Sequence, residues 1–299
     1  MISQLFSISF ATVQIFLSTD YNTTYDWQLL DDKYWQPMSL HSEPPNVTEE
    51  YENTQGACPS GMVEVNGLMK QDPNPGLFSG RSIDALQKQT CTHWLNREPI
   101  SRDRCKTYDR DKWLQISFSL KSLPKKFCID RFESGVNKGE FPIIMINYRE
   151  AGLICKARGT RLCTESEWNF ACEGPEAIPY PYGYTRDDTA CVIDKPWRAY
   201  SSDLFPRNTI KSLREVDKLW QGEPAGSRSR CKSVFGVYDL TGNVDELTTS
   251  NIYESKYKST LKGGYWGGAV RNRCRAATRS HDESFAFYQV SFRCCKDLL

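Results

Sequence analysis

The chain has 299 residues, with 39% hydrophobic and 25% charged side chains, a globular composition large enough for one big domain or two ordinary ones. Basic and acidic groups number 38 and 37 and leave a formal charge of +1, so bulk charge gives no reason to expect nucleic acid as the main partner. Twelve cysteines, none in a close CxxC pair, accompany only three histidines; this argues against a zinc cluster and for disulfides in an oxidising compartment.

Residues 1–57 read as an N-terminal arm or targeting segment. The opening MISQLFSISFATVQIFLSTD is apolar enough to resemble a secretory h-region. It lacks a positive n-region and a small-x-small cleavage site. It is also too short and mixed for a convincing membrane span, so any membrane anchoring by it is weak. Asn22-Thr23-Thr24 and Asn46-Val47-Thr48 fit the N-glycosylation acceptor pattern, which matters only in a secreted eukaryotic chain. HSEPPNVTEEYENTQG, acidic and proline-containing, reads as a linker or wrapped arm.

A compact pattern begins at CPSGMVEVNG, where Met62, Val63 and Val65 predict a short strand closed by an Asn66-Gly67 turn. Residues from about 70 to 125 carry TCTHWLNREPISRDRC and read as an insertion or large loop, stapled by Cys91 and Cys105. KKFCIDRFESG resumes strand character. INYREAGLICKARG predicts a helix: Asn147 caps it, Glu150 completes a capping box and Gly159 stops it. TESEWNFACEG repeats that grammar with Thr164, Glu167 and Gly174, and puts Trp168 and Cys172 on one face. The rest is rich in glycine, proline and aromatics, which predicts short strands and long ordered loops. The sequence contains no GxSxG elbow and no HExxH, and acid pairs such as Glu165/Glu167 read as caps and solvated faces.

Four stretches stand in order: RLCTESEWNFACEG, YPYG, FGVYDLTGNVDEL and GGYW…RCRAATRS…VSFRCC. Together they resemble the formylglycine-generating enzyme family, also called the sulfatase-modifying-factor domain. The resemblance covers most of residues 58–299 and implies an α+β fold, a variant of the C-type lectin fold with short strands, two main helices and long ordered loops. It implies disulfides Cys155–Cys294 and Cys172–Cys274, and leaves Cys295 to pair elsewhere or stay free. It implies a structural calcium site with carboxylates from Asp239 and Glu246 and main-chain carbonyls from Gly242 and Val244; the residues by themselves equally suit a capped turn. A second family calcium site is put in doubt by Val192, which stands where an asparagine ligand is expected, with Asp194 as the nearest substitute.

Active members of the family resemble copper oxidases that use two cysteines shortly after a GGSW-like turn. Gly268 stands at the first of these positions, and no cysteine precedes Cys274 in the shortened region of the second, so copper is disfavoured. The iron-dependent branch needs three histidines, whereas His41 and His93 lie outside the core and only His281 lies in it. The leading expectation is therefore a non-catalytic extracellular, cell-surface or periplasmic module that binds a protein, peptide or glycan. Its expected contact surface has Tyr265, Trp266, Phe285, Phe287 and Tyr288 as rigid area. Arg271, Asn272, Arg273, Arg275, Arg279 and His281 would act as polar grips. The same residues suit a packed scaffold. Two other readings stay open: a metal-dependent oxidoreductase with a rearranged site, and a variable ligand-binding receptor.

Overall fold

The computed structural model describes residues 58–73, 82–95, 104–207, 209–252 and 255–298. The arm, its possible targeting segment and both acceptor triplets lie outside them.

The described chain opens with strand β1 (Met62–Lys70). Helix α1 (Ile83–Lys88), hairpin strands β2 (Cys91–Trp94) and β3 (Cys105–Tyr108), helix α2 (Arg110–Ser117) and strand β4 (Ser122–Asp130) follow. β1 and β4 pair antiparallel from Met62↔Asp130 to Lys70↔Ser122. The chain therefore runs straight through Asn66-Gly67, and the expected turn does not form. A nine-residue ladder with a distant partner overrides a local turn signal that no adjacent strand supports. Gly67 serves a different purpose: a Cβ there would sit 3.3 Å from the Phe170 ring, so the residue permits close packing of β1 on a helix.

The stretch expected as a large loop thus holds two helices and a hairpin. Ser82 and Asp109 cap the helices through their side chains. Ile83 and Trp113 pack on Ala177, and the Trp113 indole donates to the Glu176 carbonyl at 2.9 Å.

Helix α3 (Tyr148–Ala157), strand β5 (Arg161–Leu162) and helix α4 (Glu165–Glu173) follow. Both helices carry complete capping boxes, Asn147 with Glu150 and Thr164 with Glu167. Helix α5 (Ile210–Leu219) was not expected, although Thr209 and Ser212 cap it reciprocally and Leu213, Val216 and Leu219 form its buried stripe. Strands β6 (Asp245–Thr249), β7 (Ser259–Lys262), β8 (Ala277–Thr278), β9 (Val290–Phe292) and β10 (Cys294–Asp297) complete the chain. Two four-stranded sheets result, ordered β1-β4-β10-β5 and β8-β7-β6-β9.

All twelve cysteines form disulfides. Cys155–Cys294 ties α3 to β10, and Cys172–Cys274 ties α4 to the segment before β8; these are the two links the resemblance implies. Cys91–Cys105 closes the β2–β3 hairpin. Cys295 is not free but bonds Cys163. Successive side chains on a strand point to opposite faces, so the neighbours Cys294 and Cys295 reach different partners. Cys58–Cys128 and Cys191–Cys231 complete the set. Six bridges suit a chain matured in an oxidising compartment. No helix among the described residues is long and apolar enough to cross a membrane.

Candidate functional site

The arginine-rich C-terminal stretch points mostly inward. Arg293, between β9 and β10, is fully buried. Its guanidinium forks onto Glu246 at 2.8 and 2.6 Å and donates to the Asp130 carbonyl at 2.9 Å. Glu246 also accepts the Trp168 indole N–H at 2.7 Å. Arg275 forks onto buried Glu173 at 2.6 and 2.5 Å. Arg273 pairs with Asp84, and Arg279 with Glu165. Asn272 is fully buried; its side chain accepts from the Ala269 N–H and donates to the Tyr265 carbonyl, both at 2.8 Å.

These contacts correct the expected contact surface. Trp266, Asn272, Arg273, Arg275 and Tyr288 are buried and act as scaffold. A charge taken out of water needs a paired countercharge, and carboxylates far away in sequence supply it.

What stays outside is mainly aromatic. Phe285 and Phe287 stack with centroids 5.8 Å apart, and the His281 ring stacks on Phe285 at 3.7 Å. Tyr200 meets Phe287 edge-on at 5.2 Å, and Phe205 lies 6.1 Å from it. Tyr200 and Phe205 are 53% and 49% exposed. Sequence reading missed both; the only signal was an aromatic-rich loop, WRAYSSDLFP. Tyr265 and Arg271 are also partly exposed. Arg271 forks onto the fully buried Asp245 at 3.0 and 2.6 Å, and Gln289 donates to the same carboxylate at 3.0 Å. The arginine is thereby held in one orientation with its charge balanced. Burial and the Arg271 charge pull the His281 imidazole below its ordinary pKa. The group offers rigid contact area and fixed hydrogen-bonding groups rather than a nucleophile–base pair.

Residue 268, where the resemblance puts the first of the two family thiols, faces an arginine. Gly268 lies against Arg104, which precedes Cys105 at the start of β3: a Cβ at residue 268 would sit 2.4 Å from the guanidinium. Asp194 accepts from Arg104 at 3.1 Å and from Arg186 at 2.7 and 3.0 Å. Two arginines thus occupy the carboxylate suggested as a substitute calcium ligand. With every cysteine in a disulfide, no thiolate is present to suit copper, and the residues here do not fit that metal. His93 is exposed on β2, and His281 stacks on an aromatic ring.

The calcium-like loop fits a hard cation better. Burial and the nearby Glu246 charge push the Asp239 carboxyl up to about 7, although the Gly226 N–H bonds it at 2.7 Å. Burial with the charges of Asp239 and Glu246 pushes Glu133 well up too. Arg293 is the neighbouring cation for these three acids, one positive charge where three ionised carboxylates would need more. No three His, Cys, Asp or Glu side chains among the described residues form a metal-holding group, so main-chain oxygens would have to complete any site. Glu246 is already shared with Arg293 and Trp168.

A separate cleft of 370 Å³ opens by Met69 and Gln71 at the end of β1 and by Ala277 of β8. Asp72, Asp84, Glu165, Arg275 and Arg279 line it, and these charges are paired with one another or with neighbours. It is charge-balanced, with no reactive constellation.

Comparison with known proteins bears on this geometry. Residues 102–298 match the model of the sulfatase-modifying factor enzyme 1-like domain. The chain belongs to this family. It is 28% identical over 169 residues to the bovine (Bos taurus) protein named inactive C-alpha-formylglycine-generating enzyme 2, covering 54% of this chain and 52% of that one. It is 26% identical over 181 residues to the formylglycine-generating enzyme of Mycobacterium tuberculosis, covering 52% and 57%. The chain thus spans about half the length of the curated relatives it matches. The solved structure of PvdO from Pseudomonas aeruginosa has a TM-score of 0.45 at 16% identity, over 79% of this chain and 94% of that one. The sheets, capped helices and long loops described above are the α+β fold of this family member.

Proposed function

We propose that this chain is a non-catalytic binding module of the sulfatase-modifying-factor family that works outside the cell or in a periplasm. One observation carries the reading. Glycine stands at residue 268, against Arg104, where the resemblance puts a family thiol, while Tyr200 and Phe205 are about half exposed beside the partly exposed Phe285 and Phe287. Aromatic faces beside a fixed arginine suit a protein, peptide or glycan ligand. The relative named inactive supports the same reading. Asp239, with main-chain oxygens of Gly242 and Val244, would hold a structural calcium ion, and Glu246 would share its charge with Arg293. Calcium would neutralise the buried acids and brace the loop.

Metal analysis of the purified protein tests the proposal. Calcium without stoichiometric copper or iron is expected; stoichiometric copper or iron overturns the non-catalytic reading. Chelation should also lower the melting temperature, since calcium at a hundred times its Kd adds about 2.7 kcal/mol to the folded state. An unchanged melting curve removes calcium from the proposal. For the contact face, glycan and peptide arrays probed with the native chain should give a signal that Tyr200→Ala and Phe287→Ala reduce.

A further inference from the structure

We infer that the cleft at the end of β1 binds one neutral, hydroxyl-rich ring, a sugar unit, at a site separate from the aromatic rim. None of the rim aromatics lines it. The cleft goes beyond the function proposed above and does not depend on it.

One face of α4 forms a wall. In ESEWNFACE, Glu165 and Ser166 stand four and three residues before Asn169, so the three share a face, and all three line the cleft. Trp168 and Cys172 turn into the core instead. Asn169 is only 6% exposed, yet its Oδ1 accepts no hydrogen bond from the described residues. A buried carbonyl oxygen left unpaired costs free energy, and a donor on a ligand in the cleft would remove that cost. Two donors line the same space. Arg279 commits Nε and Nη2 to Glu165, which leaves Nη1 for a ligand. Asn251 accepts the Ser166 N–H on its Oδ1 at 2.6 Å, which leaves its amide NH2.

The charges set the ligand class. Asp72 pairs with Arg275 at 3.2 Å, Asp84 with Arg273 and Glu165 with Arg279. An ion entering the cleft would lose water and find its countercharge already taken. A neutral hydroxyl both donates and accepts, so it serves Asn169 whichever way the amide points, and it serves Arg279 as well. Ala276 and Ala277 add a small apolar patch for ring C–H groups. β8 is two residues long, too short an edge for a peptide to join as a strand. The volume of 370 Å³ lies at the small end of ligand sites, about 300–1,000 Å³, and suits a single sugar unit.

Ligand-observed NMR titrations of the native chain test this. The neutral probes are glucose, galactose, mannose and N-acetylglucosamine; glucuronate and acetyl-glycyl-glycinamide are the charged and peptide controls. A neutral sugar is expected to bind, and the two controls are not. Asn169→Leu should weaken that binding about tenfold. Without ligand it should melt no lower than the native chain, because the fold loses no hydrogen bond to that oxygen; a clearly lower midpoint would make Asn169 structural and overturn its assignment. Ala277→Phe fills the cleft from β8, leaves every charge pair in place and should abolish binding. Binding of none of the neutral sugars overturns the inference, as does binding of a control in their place or sugar binding that both variants keep. A sugar lost in Tyr200→Ala and held by Asn169→Leu would belong to the rim, which also overturns the cleft.

Discussion

Within Gly263–Cys295 three arginines turn inward while two phenylalanines stay at the rim. Arg273, Arg275 and Arg293 are buried and face acids on other segments: Asp84, Glu173 and Glu246. Phe285 and Phe287 lie partly exposed and are joined from outside by Tyr200 and Phe205. A guanidinium inside a protein must find a carboxylate, and its planar fork fixes the geometry between the segments it joins. In a fold of short strands and long loops, these pairs and the disulfides set how the segments register. An aromatic ring carries no such requirement and can be left at the surface to meet something else. The charge-rich interior is thus the scaffold, and the aromatic rim is the candidate for recognition.

The interior side of this contrast breaks most sharply at Arg293. Arg293→Ala strands the Glu246 carboxylate without its fork and should cost about 3–5 kcal/mol, as for other buried pairs losing one partner. Chemical denaturation measures it. Replacing both partners by methionine should cost much less, because no buried charge is then left alone. If the single variant costs no more than the double, the pair is not the anchor described. Next in size is the Cys163–Cys295 bridge. Its half-cystines are 132 residues apart, so Cys163→Ser with Cys295→Ser should lose about 2–4 kcal/mol of stability, seen as a lower thermal midpoint. An unchanged midpoint would mean that Cys155–Cys294 alone fixes β10.

Local signals were legible where structure is local. The capping boxes at Asn147 and Thr164 stand in the sequence and in the fold. Helix α5 carries serine, not an acid, three residues after its cap Thr209, so only the leucine and valine spacing marks it in the sequence. The long β1 was misread because its partner lies beyond two helices and a hairpin. The direction of the arginines could not be read locally either. Arg275 and Glu173 are 102 positions apart, and Arg273 and Asp84 are 189 apart. Sequence shows the residue types a site needs, while burial, which decides scaffold or surface, depends on these distant contacts.

A pH-dependent effect separates a buried base from the buried pairs. Lys262 on β7 is fully buried and donates to the Ala276 and Arg275 carbonyls at 2.7 and 3.2 Å. Burial lowers its pKa to about 7 from 10.5, with Arg279 and Arg275 acting the same way and Glu165 opposing. Between those values the unfolded chain holds a proton that the folded chain does not. The contribution of Lys262 to stability is therefore lost as pH falls from about 10 through about 7. Lys262→Met should flatten that slope relative to the native chain in paired urea titrations across the window. Parallel curves for the two proteins would show that Lys262 stays charged throughout.

The smallest expected effect on folding belongs to the rim, and it sharpens the contrast most. Tyr200 is 53% exposed and meets Phe287 edge-on at 5.2 Å and Tyr288 more loosely at 6.5 Å, and such an aromatic pair is worth about 0.5–1.5 kcal/mol. Tyr200→Ala should therefore shift unfolding by about 1 kcal/mol or less, well below the cost at Arg293. The same variant should weaken any array ligand that the native chain retains, because it removes exposed ring area beside Phe287. A loss of stability as large as that of Arg293→Ala would make Tyr200 part of the scaffold, and the aromatic rim would then lose its claim to be a contact face. Stability near native with reduced binding would separate recognition from scaffold at one residue, which no substitution among the buried arginines can do, since each unbalances the interior before a ligand is met.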